Sequence, residues 1–105
     1  MFNDNFYKIH DLVRKENSTL SDKIIKLGEE KGEIDEAFLR FNGYKKVDPS
    51  TGKKSGEDAR EDISEECVDA IIMCLSILID NNMTLSEIED LMSAKIDKWK
   101  TKHLM

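Results

Sequence analysis

The sequence predicts an all-α fold that is four-helix-bundle-like. Three observations carry this expectation: apolar residues recur at helical spacing, alternating strand patterns are nearly absent, and proline occurs once, at Pro49. A first short helix is expected over residues 5–16, with Phe2, Phe6, Ile9 and Val13 on one stripe. A second is expected over 20–41, where Leu20, Ile24, Leu27, Ile34, Phe38 and Phe41 repeat at helical spacing and Thr19 with Asp22 resembles an N-terminal cap. Residues 42–57 break the pattern with Gly43, Pro49, Gly52 and Gly56, and carry Lys45, Lys46, Lys53 and Lys54, so a basic loop is expected there. A third helix is expected from Asp58, with Glu61 as its capping-box partner, to about Ile79. Asn81 and Asn82 then turn the chain, and Thr84 with Glu87 makes a capping box for a fourth helix that runs to about Lys102.

The third helix bears on assembly. From Ala70 to Ile79 it is apolar on nearly every side, and such a helix has to be covered all round. Three other short helices of one 105-residue chain can hardly do that, so a homodimer or homotetramer is expected, within a single domain spanning residues 1–105. The same run is well short of the roughly 20 residues a membrane span needs. Cys67 and Cys74 lie seven apart along one rigid helix, too far to pair with each other, and are expected to be reduced core residues of a cytoplasmic protein. With 16 Lys plus Arg against 22 Asp plus Glu, the net charge of -6 argues against a general affinity for nucleic acid or anionic membrane.

Two acidic pairs of equal spacing, Glu30-x-x-Glu33 and Glu66-x-x-Asp69, are the features with chemistry in them. Each puts two carboxylates one turn apart on one side of a helix. In a chain with 36% charged residues the ordinary explanation of an acidic run is a solvated face, so position has to decide. At about 100° per residue, Glu30 and Glu33 flank the apolar stripe through Leu27, and Glu66 and Asp69 border that of Ile63, Cys67, Ala70, Cys74 and Leu78. Glu29 and Glu36 fall near the opposite, solvated face. Four carboxylates gathered by two adjacent helices repel one another unless cations fill the space. The chain's two histidines, His10 and His103, lie outside both pairs, so the Glu-x-x-His pattern of di-iron bundles is missing and an all-oxygen site for Mg2+ or Mn2+ is expected. Such ions bind jointly to phosphate groups, which points to a nucleoside triphosphate or diphosphate as substrate.

The stretch from Leu27 to Ile34, with Glu29, Glu30 and Glu33, followed by Glu65, Glu66, Cys67, Val68 and Asp69, resembles the E-E-x-x-E and E-x-x-D signature of MazG-like pyrophosphohydrolases. These belong to the all-α nucleoside triphosphate pyrophosphohydrolase superfamily. The resemblance covers roughly residues 20–102. It implies an oligomeric MazG-type fold and an enzyme that cleaves a nucleoside triphosphate to a monophosphate and pyrophosphate. It also implies magnesium held by Glu30, Glu33, Glu66 and Asp69. A carboxylate not fully engaged with metal, Glu29 or Glu33, would orient the attacking water as a base. Lys95, at helical spacing with Ile88, Met92 and Trp99, and Lys98 on the same basic helix end are the candidate phosphate contacts. A lysine that snorkels outward explains Lys95 equally well. Phe38 and Trp99 are expected in the core, and the loop lysines either close over the nucleotide or are simply solvated. The alternative function is a helical protein that keeps the bundle for oligomerisation or partner binding and has no turnover.

Overall fold

The computed structural model describes residues 2–43 and 49–103, and all the regular structure among them is helical. Helix α1 spans Phe2–Lys15, α2 Leu20–Phe41, α3 Ala59–Asp80 and α4 Leu85–His103, with single 3-10 turns at Pro49–Thr51 and Gly56–Asp58. Two of the three expected caps are present. The Thr19 side chain accepts from the Asp22 backbone N–H while Asp22 accepts from that of Thr19, and Thr84 and Glu87 do the same for α4. The third expected cap fails for a local reason. The turn Gly56–Asp58 feeds directly into α3, which puts Asp58 at φ -65° and ψ -21°, already helical, so its side chain caps nothing. The turn between α3 and α4 is made as expected, with Asn82 at φ 61° taking the left-handed conformation that asparagine tolerates.

Helices α2 and α3, each 22 residues and so about 33 Å long, form an antiparallel hairpin. An ion pair fixes each end of it: Lys23 near the start of α2 reaches Asp80 at the end of α3 (2.8 Å), and Arg40 near the end of α2 reaches Asp62 near the start of α3 (2.7 Å). The buried seam of α2 steps by sevens through Lys23, Glu30 and Ala37, each followed four positions on by half-buried Leu27, Ile34 and Phe41, and on α3 Ala59, Glu66, Met73 and Asp80 follow the same period. Glu30 therefore lies in the interhelical seam, deeper than the flanking position expected from the apolar stripe. Three stripe residues, Leu20, Ile24 and Phe38, are exposed instead.

The apolar core sits at the far end of the hairpin, where Phe6, Leu75, Ile79 and Ile88 are buried together and Ile9, Val13, Leu78, Met83 and Leu85 pack against them. Helix α1 lies on α3, but α4 leaves the core after its first turn: Ile88 is buried and every residue from Glu89 to His103 is exposed. A bundle is thus not closed by α4 within one chain, and the Cα radius of gyration of 16.8 Å exceeds the roughly 13 Å of a compact domain of this length. Trp99, Phe38, Cys67 and Cys74, expected in the core, are all exposed. No helix among the described residues is long and apolar enough to cross a membrane.

Candidate metal centre

The middle of the α2–α3 seam differs from its ends in charge balance. Lys23 is 3% exposed and is paired with Asp80 and, at 3.6 Å, with Glu16; Arg40 is 4% exposed and donates to Asp62 and to the Lys54 carbonyl. Between these compensated ends the two helices present Glu30 and Glu33 against Glu66 and Asp69. Carboxylate oxygens of Glu30, Glu66 and Asp69 lie within 4.8 Å of one another. Two oxygens on one Mg2+ at 2.0–2.1 Å stand no more than about 4.2 Å apart, so small side-chain adjustments would be needed for this set to hold a single cation. Glu33 lies on the exposed side, next to Glu66.

The electrostatics mark the cluster as cation-deficient. Lys26 is the one cation seen against it among the described residues, 3.5 Å from Glu30 and 3.4 Å from Glu29. Its hydrogen bond with Glu29, reinforced by the charges of Glu30 and Glu29, holds the ammonium above its ordinary pKa. One oxygen of Glu30 and one of Glu66 (both Oε2) are buried with no hydrogen-bond partner. An orphaned buried carboxylate oxygen forfeits the compensation that normally permits its burial, and a divalent cation would supply it. Glu66 is driven up to a pKa of about 7, first by its hydrogen bond with Glu33, then by burial, then by the charges of Glu33, Asp69 and Glu30. A proton thus substitutes for a cation in the metal-free chain.

That shift has a sign that can be measured. A carboxyl raised from about 4.5 to about 7 on folding contributes stability that is complete below the unfolded value and is lost as pH rises through about 7. Metal-free protein should therefore melt at lower temperature at pH 8 than at pH 5.5. Glu66→Gln should shrink the difference, and Mg2+ should restore stability mainly above pH 7, once the proton has left. An equal pH dependence in wild type and Glu66→Gln under thermal melting would contradict the assignment.

The other residues singled out in the sequence lie elsewhere. Glu29 is solvent-exposed and paired with Lys26. Lys95 and Lys98 are on the exposed length of α4, and neither pairs with the four carboxylates among the described residues. Of the loop lysines, Lys53 is paired with Glu36 at 2.8 Å and Lys54 with Glu61, so these two serve to clasp the loop onto α2 and α3; Lys45 and Lys46 lie outside the described residues. Lys26 was the site residue not anticipated, although its i,i+4 spacing to Glu30 is legible in the sequence. Comparison with family models, with curated proteins and with solved structures finds no match to this chain.

Proposed function

We propose that the chain is a magnesium-dependent nucleoside triphosphate pyrophosphohydrolase, with manganese as a substitute cation, acting in the cytoplasm. The observation that carries the reading is the centre of the α2–α3 seam: four carboxylates, two of their oxygens buried without hydrogen-bond partners, between two ends at each of which a buried cation is ion-paired across the helices. The donor set is all oxygen, as Mg2+ prefers. Glu30, Glu66 and Asp69 would hold the ion and Glu33 would complete the set. A divalent cation held by these residues would neutralise triphosphate charge and lower the pKa of a coordinated water. Glu33, exposed beside Glu66, is the better placed of the two candidate bases, because Glu29 is turned to Lys26. It orients the water towards the α phosphorus and takes its proton, and pyrophosphate leaves.

The same reading includes assembly. Val68 and Ile71 on α3 and Leu91, Met92, Ile96 and Trp99 on α4 are each about half exposed or more, which leaves large apolar side chains open on both helices. A second copy of the chain is the proposed cover, and it would bring Lys95 and Lys98 of one copy toward the acidic seam of another. Ile71 and Ile96 are the positions at which to test this, since Leu75 is buried in its own chain's core and a charge there would unfold it. Sedimentation at micromolar concentration should give a multiple of 12.1 kDa, reduced to the monomer by Ile71→Glu with Ile96→Glu. A compact wild-type monomer would refute assembly.

Turnover is tested by incubating the protein with a panel of nucleoside triphosphates and Mg2+ and resolving pyrophosphate from orthophosphate. Pyrophosphate with a monophosphate is the expected outcome. Release of orthophosphate and a diphosphate would reject the reaction. No cleavage across the panel, with metal binding confirmed, would favour a helical assembly without turnover, a reading to which the exposed arm of α4 lends its own support.

A further inference from the structure

Resting on that reading, we propose that the groove between α1 and the α2–α3 hairpin receives the nucleoside of the substrate, with α1 forming the wall against which the base is placed. The groove has a volume of about 360 Å³, within the range of small-molecule sites. Its apolar walls are Ile9, Leu12 and Val13 of α1 and Ile72 and Met73 of α3, and Glu16, Asp22, Lys23 and Lys26 add charged groups to its lining. A mostly apolar slot with a few polar groups suits a planar heterocycle carrying amide and amine edges, and it leaves the charged part of the molecule outside.

Its placement joins it to the carboxylates. Lys26 lines the groove and also lies 3.5 Å from Glu30, while Ile72 and Met73 follow Asp69 by three and four positions, one helical turn. The α phosphate is esterified to the sugar, so a phosphorus attacked at the cluster has its nucleoside within a few bonds. Towards Arg40 the seam is closed by the Arg40–Asp62 pair and the clasped loop, and the shallow depression beside Asp69 is walled by α3 alone, through Ser64, Glu65 and Val68. Towards Lys23 the space is open and is walled by three helices. The nucleoside therefore lies on the Lys23 side, and the Lys26 ammonium stands at the boundary, where the sugar gives way to phosphate. Substrate preference among nucleotides is then written on α1, outside both acidic motifs.

The test is isoleucine methyl NMR of the full chain with Mg2+ and the α,β-methylene analogues of the four common nucleoside triphosphates, which are not cleaved at that bond. The methyls of Ile9 and Ile72 should shift on saturation. Inorganic tripolyphosphate should leave Ile9 and Ile72 unmoved. In parallel, filling the groove at its exposed rim with Leu12→Trp should raise KM at least tenfold and change Mn2+ affinity less than twofold. Turnover with unmoved Ile9 and Ile72 methyls and an unchanged KM in Leu12→Trp would overturn the groove and leave the proposed reaction standing. Shifts at Ile9 and Ile72 without any turnover would keep the groove as a nucleotide site and reject the reaction. Failure of every analogue to bind would overturn both.

Discussion

Replacing Glu30 by Gln is expected to lower turnover at least about a hundredfold, the scale on which changes even to outer-shell partners of a metal act. Glu30 is 6% exposed, lies in the helix seam and has one oxygen with no partner, so its amide isostere removes a ligand charge without opening a cavity. The same substitution relieves repulsion within the cluster. The metal-free variant should therefore melt no lower than the metal-free wild type, while the stabilisation given by Mg2+ should largely disappear. Asp69→Asn and Glu33→Gln should follow the same pattern. Isothermal titration with Mn2+ beside thermal melting separates loss of a ligand from loss of the fold. Undiminished activity in Glu30→Gln, or activity of wild type in excess chelator, would remove the metal from the account.

Replacing Arg40 by Ala is expected to cost about 3–5 kcal/mol, the range for breaking a buried ion pair by removing one partner. Arg40 is 4% exposed and joins three parts of the chain: α2, Asp62 at the start of α3, and the Lys54 carbonyl of the loop. Its loss leaves Asp62, which also accepts from the Lys54 backbone N–H, as a half-buried charge without its guanidinium. Domains of this kind are stable by about 5–15 kcal/mol, so Arg40→Ala should bring the chain near its unfolding threshold. The guanidinium, through its hydrogen bond, holds the Asp62 carboxyl below its ordinary pKa despite burial. That stability is present above the unfolded carboxyl's pKa and is lost as pH falls through the depressed one, so the cost of Arg40→Ala should shrink in acid. Denaturant midpoints at pH 7 and pH 3 check both statements. A midpoint shift under about 1 kcal/mol at pH 7 would show the pair to be a surface contact in effect.

How much of this was legible in the sequence varies with the range of the interaction that decides it. Capping at Thr19 and Thr84 is local, within three residues, and placed α2 and α4 to within a residue or two. The cap at Asp58 was misread because the 3-10 turn before it depends on Gly56 at φ 60°, a backbone choice that the capping pattern does not encode. Glu30 was legible as a candidate ligand but not as a buried one. The stripe through Leu20, Ile24 and Phe38 drew attention to a face that one chain leaves open, whereas the seven-residue steps Lys23, Glu30, Ala37 mark the face that packs. Lys23 and Arg40 look like solvated cations until partners 57 and 22 positions away come beside them. The fourth helix shows the opposite failure. Its apolar positions read as core, yet Leu91, Met92, Ile96 and Trp99 are each about half exposed or more. The same holds for Cys67 and Cys74, which were expected to be buried from their apolar neighbours.

The most direct test of the central claim, that carboxylates of the α2–α3 seam direct metal-activated water at the α phosphorus, is the fate of the water oxygen. Hydrolysis of a turned-over nucleoside triphosphate in heavy-oxygen water with Mg2+, followed by mass spectrometry of both products, reads it in one experiment. The account predicts one label in the monophosphate and none in pyrophosphate, with the reaction lost in Glu30→Gln. Label in pyrophosphate would place the attack on the β phosphorus and contradict it.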